Sequence, residues 1–139
     1  MKLYQSEVEC QTHGRGALEI TDVVNREVQD SGVTQGKAQV FLKHTSASLM
    51  LCENADPTVL QDLETILLRL APDADPEYRH DYEGDDDMAA HVRSVLTTND
   101  LNVPISHGRL NLGTWQGVFL YEHRYRSHLR TLVITVLGE

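Results

Sequence analysis

The sequence has little of what marks a secreted, membrane-spanning or disulfide-stabilised protein. Its 139 residues include only two cysteines, Cys10 and Cys52, too few for a disulfide framework. No apolar run approaches the roughly 18 residues needed to span a bilayer. The first residues also lack the uninterrupted apolar segment of a signal peptide. We therefore expect two reduced thiols in or near the core, and a cytoplasmic protein.

Basic residues are scarce as well. Lys and Arg total 12 against 21 Asp and Glu, which gives a formal net charge of -9. Such a surface repels nucleic acid and anionic membranes unless basic residues are concentrated in one place. The one loose grouping consists of Arg124, Arg126 and Arg130. Neither nucleic acid nor a membrane is therefore an expected partner.

The composition and the hydrophobic pattern predict one α+β domain over residues 1–139. Hydrophobic residues make up 40% of the chain, an ordinary value for a globular protein. Apolar runs and alternation predict strands over residues 3–10, 38–44, 49–52, 101–105, 109–112, 115–121 and 129–137. The consecutive strands at the end favour a largely antiparallel sheet or sandwich. Both faces of the last strand are partly apolar, which is typical of a strand in the middle of a sheet or under a subunit interface.

Two to three helices complete the predicted fold. The first is short, with Thr21 or Asp22 as its N-cap. The second begins with Asp56 as the N-cap and Pro57 in the first helical position. The third covers residues 86–96, and the aspartates at its start are stabilised by the positive end of the helix dipole.

Helical periodicity also predicts which faces of the second and third helices are buried. On the second helix, spacings of three and four residues form one apolar stripe that should face the core. Its members are Leu60, Leu63, Leu67 and Leu70. On the third helix, the residues expected on the inner side are Met88, Val92 and Val95.

Polar residues that could form a functional site lie at strand and helix ends. His44 follows a buried strand, and the hydroxyls of Thr45 and Ser46 come next. Hydroxyls and backbone amides in such a turn can hold a phosphate or a carboxylate. A hydrogen-bonded histidine in an ordinary polar turn is the alternative. Asn54 lies just outside the second helix, whose free N–H groups could bind an anion.

The richest group of potential metal ligands lies around the start of the third helix. Asp87 and His91 are four residues apart and share one helix face, while His80 and Glu83 precede them and can fold back. Imidazoles and carboxylates together can bind a divalent ion such as zinc, manganese or magnesium. The alternative is an acidic, solvated loop with capping aspartates.

A further group follows in the last third of the chain. Gly113 allows close approach of a ligand to the backbone, and Thr114 follows it. Trp115 is expected to be a core anchor. Gln116 and Glu122 fall on one strand face and could line a pocket, or simply mark where the strand leaves the core. The remaining histidines are predicted to be surface or structural residues, namely His13, His107, His123 and His128.

These motifs, in this order, resemble the YjbQ family, also called the secondary thiamine-phosphate synthase family. The resemblance runs from end to end of the chain. The shared segments are His44-Thr45-Ser46-Ala47-Ser48, Glu53-Asn54-Ala55-Asp56, Tyr78-Arg79-His80, Glu83-Gly84, Asp87-Met88-Ala89-Ala90-His91, and Gly113-Thr114-Trp115-Gln116 with Glu122. One departure is His107, where the resemblance predicts an acidic residue.

The resemblance implies a β-rich α+β subunit that assembles as a homotrimer, with a site near subunit contacts. It implies a bound divalent metal, an anion pocket, and the synthesis of thiamine phosphate from a pyrimidine diphosphate and a thiazole phosphate. On this basis the expected catalytic residues are His44, His80, His91 and Glu122. The expected metal ligands, for Zn, Mg or Mn, are His44, His80 and His91. The expected ligands of an anionic small molecule are Thr45, Ser46, Asn54, Asp87, Gly113, Thr114, Gln116 and Arg130.

Two other functions are compatible with the same residues. The chain could be a non-catalytic trimer that binds a metabolite or a metal, or a purely structural trimer. Turnover of a substrate would distinguish an enzyme from a non-catalytic binding trimer. A bound metal or ligand would distinguish the binding trimer from a purely structural one. The many polar residues at strand and helix ends favour a site over a purely structural role.

Overall fold

Two antiparallel sheets form the framework of the protein, and the computed structural model describes residues 1–139. The larger sheet has, in spatial order, β1 (Lys2–Gln11), β8 (Leu129–Gly138), β3 (Gln35–Leu42), β5 (Asp100–Ser106) and β6 (Arg109–Leu110). The smaller sheet has β2 (Gly16–Glu19), β7 (Gln116–Glu122) and β4 (Ala47–Glu53). The helices are α1 (Thr21–Ser31), α2 (Pro57–Leu70) and α3 (Asp87–Leu96). The predicted antiparallel α+β fold is confirmed.

The last strand is central, as its two apolar faces predict. β8 pairs with β1 on one side and with β3 on the other. Its inward side chains, Leu132, Ile134 and Val136, are fully buried in one core cluster. The smaller sheet contributes Leu49 and Leu120 to the same cluster. The core therefore lies between the two sheets, and alternation along β8 places it there.

The helix caps are partly as predicted. Asp56 caps α2, since its carboxylate accepts a 2.9 Å hydrogen bond from the Thr58 amide, and Pro57 is the first helical residue. α1 has no side-chain cap and its N-cap is Ile20, which corrects the expectation that Thr21 or Asp22 caps it. The Thr21 hydroxyl is used elsewhere, because it accepts a hydrogen bond from the amide of Val118 on β7.

The leucine stripe of α2 does not face the core as expected. Of its four leucines only Leu67 is buried, and Leu70 is 61% exposed. Glu64 lies between Leu63 and Leu67 in the sequence and points inward. Its carboxylate accepts hydrogen bonds of 2.8 and 2.6 Å from the Arg93 guanidinium. An ion pair therefore connects α2 to α3, beside the apolar contact of Leu67.

The inner face of α3 also differs from the prediction. Met88 and Val92 are only half-buried and Val95 is 84% exposed. The buried residues of this helix are Asp87, Ala89, Ala90, Arg93 and Ser94. Small side chains let α3 approach β4 closely, and the Ser94 hydroxyl donates to the carbonyl of Ala47. Periodicity predicted the helix, but the large apolar residues are on its outer side.

The pairing of β4 with β7 separates the polar turns into two groups. Ala47 pairs with Glu122 at one end, and Glu53 pairs with Gln116 at the other. At roughly 3.3 Å per residue, these ends are about 20 Å apart.

None of the three helices combines the length and apolar character needed to cross a membrane.

Candidate metal and anion site

Four side chains converge where the loop of residues 71–86 meets α3. They are His80, Glu83, Asp87 and His91, called here the His–carboxylate cluster, and their potential ligand atoms all lie within 4.8 Å of one another. The Asp87 carboxylate is 2.7 Å from His80 Nε2 and 3.2 Å from His91 Nε2. His80 Nε2 is also 3.2 Å from Glu83. The structure thus brings together the group of four that helix spacing and a folded-back loop predict.

Local structure explains the convergence. Asp87 begins α3 and His91 lies one turn later, so both point to the same side. Gly84 has φ 108, a conformation that suits glycine and turns the chain back after Glu83. The donor set of two imidazoles and two carboxylates suits zinc, and also manganese. These residues therefore fit a divalent cation.

The charges in the cluster are set by mutual contacts. Burial alone would raise the pKa of Asp87, but its hydrogen bonds with Glu83 and His80 and the charge of Arg124 outweigh burial and lower it. The hydrogen bond to Asp87 raises the pKa of His80. Asp87 is thus an ionised carboxylate held inside the protein, and a partner cation stabilises it. Asp87 was predicted as a ligand of an anionic molecule, and the structure places its carboxylate among the potential ligands of a cation.

Arg124 connects the cluster to the turn after β7. Its guanidinium binds Asp87 at 2.6 Å, Asp86 at 3.0 Å and the carbonyl of Glu83 at 2.8 Å. Asp86 also accepts a 2.8 Å hydrogen bond from the amide of Tyr125. Asp86 is therefore buried and holds the turn, whereas the sequence suggested a solvated capping residue.

An open cleft of about 530 Å³ lies beside the cluster. Its lining residues are Tyr82, Glu83, Gly84, Arg124, Arg126 and His128. The Arg126 side chain is exposed and forms no ion pair within the chain. His128 Nδ1 lies 2.8 Å from the Arg126 carbonyl and donates to it, so Nε2 remains for a ligand. We call this the arginine cleft. Because Arg124 is already paired with Asp86 and Asp87, Arg126 is the cation in it that remains free to bind an anion.

Glu122 and Arg130 form a buried ion pair next to this cleft. The Glu122 carboxylate accepts hydrogen bonds from Arg130, from the Thr12 hydroxyl at 2.7 Å and from the Arg124 amide at 3.2 Å. Burial would raise the pKa of Glu122, but the hydrogen bonds from Arg130 and Thr12 lower it. Arg130 also donates to the Ser46 hydroxyl at 3.0 Å.

This pairing connects three of the predicted site residues, namely Glu122, Arg130 and Ser46. Glu122 is 1% exposed, and within the chain its carboxylate accepts hydrogen bonds from Arg130, Thr12 and the Arg124 amide, so it orients these neighbours. Arg130 and Ser46 are likewise occupied with Glu122 and with each other. The three residues support the turn that carries Arg124.

His44 lies outside the His–carboxylate cluster. Its Nε2 accepts a 2.8 Å hydrogen bond from the amide of Thr131, so Nδ1 carries the hydrogen. Burial, reinforced by the charge of Arg130, lowers the pKa of His44. His44 is therefore a neutral hydrogen-bond donor, and the structure does not group it with His80 and His91 as a ligand. Thr45 is exposed beside it in a shallow hollow.

The remaining predicted anion ligands lie at the opposite end of the smaller sheet. The Gly113 amide donates to the Gln116 side chain at 2.9 Å, and Asn54 donates to Glu19 at 3.2 Å. Thr114 is exposed in the same turn. Trp115, expected to anchor the core, is 63% exposed. Within one chain, this group does not form a common pocket with the His–carboxylate cluster.

Sequence reasoning missed Arg124, Arg126 and His128. Arginines in an acidic chain carried no motif, and His128 had no recognisable partner spacing. Two signals were available: these residues follow a predicted strand end, and Arg124 and Arg126 belong to the one loose grouping of basic residues. His13 and His107 are exposed, and His123 is buried, as expected for surface and structural histidines.

Buried His123 makes acid stability a test of the structure. His123 Nε2 and Ser48 Oγ are 2.8 Å apart, and burial, with the charge of Arg93, lowers the pKa of His123 to about 3. The unfolded chain takes up this proton near pH 6.5 and the folded chain only near pH 3, so stability falls as pH decreases between these values. We expect His123→Gln to remove about 1.4 kcal/mol per pH unit from the slope of unfolding free energy between about pH 6 and 4.5. Urea unfolding across this range measures it, and equal slopes would contradict a buried neutral His123.

The fold and cluster define an antiparallel α+β protein with histidines and carboxylates gathered at a loop–helix junction. Over residues 6–139 the sequence matches the model of the family described as UPF0047 protein YjbQ-like, and the chain belongs to that family. It is 50% identical to a UPF0047 protein of Synechocystis sp. over 128 residues, covering 92% of this chain and 87% of the relative. It is 42% identical to UPF0047 protein YjbQ of Escherichia coli O157:H7 over 137 residues, covering 98% and 99%.

Solved structures agree with this assignment. A YbjQ-like protein of unknown function from Sulfolobus solfataricus superposes with a TM-score of 0.89 at 25% identity, covering 99% of each chain. A conserved hypothetical protein from Thermus thermophilus gives a TM-score of 0.85 at 36% identity, covering 95% of this chain and 99% of the other. The predicted family and fold are thereby confirmed.

Proposed function

We propose that this protein is an enzyme that uses a divalent metal to act on a phosphorylated small molecule. The observation that carries the proposal is the adjacency of the His–carboxylate cluster to the arginine cleft, which share Glu83. A site for a cation beside a site for an anion is the arrangement that phosphate chemistry needs.

The metal would be held by His80, Glu83, Asp87 and His91. Zinc is favoured over magnesium, because two of the four donors are imidazole nitrogens. A bound cation supplies a Lewis acid that stabilises negative charge on a phosphate oxygen. Arg124 already binds Asp87, so it would set the orientation of that ligand without contacting the metal itself.

The phosphate would be held by Arg126 and His128 in the arginine cleft. The Arg126 guanidinium is exposed and unpaired, and this group recognises phosphate with paired N–H donors. His128 has a fixed Nδ1–H, so its Nε2 can accept a proton from the ligand or donate one to it. The unpaired Arg126 would supply the cation that an anion needs on a protein with a net charge of -9.

The finer form of the proposal is thiamine-phosphate synthase activity, the reaction that the family resemblance implies. It joins a pyrimidine diphosphate to a thiazole phosphate and releases pyrophosphate. Both substrates carry phosphate, and the leaving pyrophosphate needs cationic stabilisation of the kind that Arg126 and a metal would provide. The test is pyrophosphate release with Zn²⁺, Mn²⁺ or Mg²⁺ after chelator treatment. Activity that needs no metal would contradict the metal-dependent form.

Arg126→Ala tests the role of the cleft in binding. We expect a 10- to 100-fold weaker affinity for the phosphorylated ligand, since a hydrogen bond to a charged group contributes about 1.5–3 kcal/mol. Affinity for Zn²⁺ should stay within about threefold of wild type, because Arg126 is not in the cluster. Arg26→Ala, an exposed arginine on α1, makes the same charge change and should have no effect. Equal ligand affinity in Arg126→Ala and wild type would place the phosphate elsewhere.

The alternative is a non-catalytic trimer that binds a metal or a metabolite. Exposed apolar side chains on α2 and α3 support assembly, among them Ile66, Leu70, Val95 and Leu96. In this alternative Zn²⁺ and a phosphorylated ligand bind, but no substrate is converted under any metal.

A further inference from the structure

Half of the His–carboxylate cluster depends on a loop without regular secondary structure. Residues 71–86 connect α2 to α3 and carry His80 and Glu83, whereas Asp87 and His91 are on the helix. A histidine on a loop of this length keeps one position only if the loop is attached to the scaffold. The attachments of the loop therefore decide whether the four side chains stay together.

The loop is closed on itself and attached at both ends. The amide of Ala74 donates to the carbonyl of Asp85 at 2.9 Å, which brings the entry and the exit of the loop together. The exit is held by Arg124 through Asp86 and the carbonyl of Glu83. The entry is held by Asp73, which binds a residue from a distant part of the chain.

That residue is Arg15, in the turn between β1 and β2. Its guanidinium binds both oxygens of Asp73, at 2.7 and 2.8 Å, and the two side chains are only 7% and 17% exposed. The Tyr125 hydroxyl contacts the same carboxylate and lies 3.0 Å from Arg15. The guanidinium also stacks 4.2 Å from the centre of the Tyr125 ring. We call this set of three residues the Arg15 clamp.

The clamp is itself firmly placed. Arg15 Nε donates to the carbonyl of His123 at 2.9 Å, at the end of β7. Gly14 has φ 102, and a Cβ there would lie 2.8 Å from the Tyr125 carbonyl, so the turn packs directly against the β7–β8 connection. The clamp and Arg124 thus use the same short connection, residues 123–128, to hold both ends of the loop.

We propose that Arg15, with Tyr125, is a positioning residue that holds the loop of residues 71–86 so that His80 and Glu83 face α3. The proposal rests on the metal site proposed above for its functional meaning, but the clamp itself can be tested without metal. A bidentate guanidinium–carboxylate pair that is mostly shielded from water fixes geometry better than an exposed pair. The expected consequence is that Arg15 controls metal affinity without contacting the metal.

The test compares Arg15→Met, Arg15→Lys and Tyr125→Phe with wild type, and uses Arg26→Met as the surface control. Two quantities are measured on each full-length protein: Zn²⁺ affinity by calorimetry, and amide hydrogen exchange of residues 74–86. For Arg15→Met we expect exchange in this loop to be at least about tenfold faster and Zn²⁺ affinity about tenfold weaker, with exchange in β8 unchanged. Arg15→Lys should recover part of both, and Arg26→Met should change neither.

Several results would separate the clamp from the metal site. Wild-type loop exchange and Zn²⁺ affinity in both Arg15→Met and Tyr125→Phe would overturn the clamp. If wild type binds no Zn²⁺, the proposed function fails, and the exchange rates alone then judge the clamp. If Arg15→Met does not fold, Tyr125→Phe decides, since it removes a single hydroxyl from Asp73. Faster exchange throughout the protein would indicate a general structural role and would also contradict the proposal.

Discussion

Replacing His91 with alanine should remove tight metal binding while leaving the fold intact. His91 Nε2 is one of the four potential ligand atoms of the His–carboxylate cluster, and its side chain is partly exposed on α3. Mutation of residues that merely orient a ligand costs 10- to 100-fold in metal affinity. Loss of a direct ligand should therefore cost at least about 100-fold. Zn²⁺ titration by calorimetry measures the affinity, and circular dichroism checks the fold.

The matched control is His13→Ala, because His13 is an exposed histidine outside the cluster. It should keep wild-type affinity. His80→Ala should resemble His91→Ala, whereas His44→Ala should retain Zn²⁺, since His44 is not in the cluster. Zn²⁺ binding that survives in His91→Ala and disappears in His44→Ala would restore the ligand set that the sequence suggested.

Replacing Glu122 with alanine should destabilise the protein by about 3–5 kcal/mol, the cost of leaving one member of a buried ion pair without its partner. Arg130 is 3% exposed, and removal of Glu122 leaves its guanidinium buried with only Ser46 as a partner. Thr12 and the Arg124 amide also lose their acceptor. Because a domain of this size has a total stability of about 5–15 kcal/mol, the variant should unfold at much lower urea concentrations.

Two further variants make this expectation specific. Glu9→Ala removes an exposed carboxylate from β1 and should change stability by less than about 0.5 kcal/mol. The double variant Glu122→Leu with Arg130→Met should be more stable than either single variant, because no charge is then left unpaired inside the protein. If Glu122→Ala unfolds like wild type but loses a bound ligand, Glu122 contacts that ligand after all.

Sequence spacing predicts contacts in the candidate site only between residues that are close in the sequence. Asp87 and His91 are neighbours by helix geometry alone, and His80 and Glu83 are close enough in sequence to join them. His44 was assigned to the same group because it belongs to the shared family motif. A sequence motif does not say how far apart its residues lie in the folded protein. Its actual partner, the Thr131 amide, is 87 residues away in sequence, and no periodic pattern connects the two.

Sequence patterns did not predict the buried polar contacts either. No sequence pattern singled out Arg93 on α3 or Glu64 on α2, yet their ion pair connects the two helices. A charged residue inside a protein is tolerated only when a partner lies opposite, and that partner is decided by packing. Sequence patterns therefore predicted that the whole apolar stripe of α2 is buried, whereas only Leu67 is, and Glu64 contacts Arg93 beside it.

Apart from the short strand β2, which was missed, sequence patterns predicted the strands and helices, the central position of β8, the cap of α2 and the convergence of His80, Glu83, Asp87 and His91. Each of these follows from interactions within a short segment, or from apolar alternation along a single strand. Three features come from the three-dimensional packing instead: Arg15 holds Asp73, Glu122 pairs with Arg130, and the two polar ends of the smaller sheet lie about 20 Å apart. The reason is physical: strand register and long-range ion pairs depend on which segments meet, and that information is spread over the whole chain.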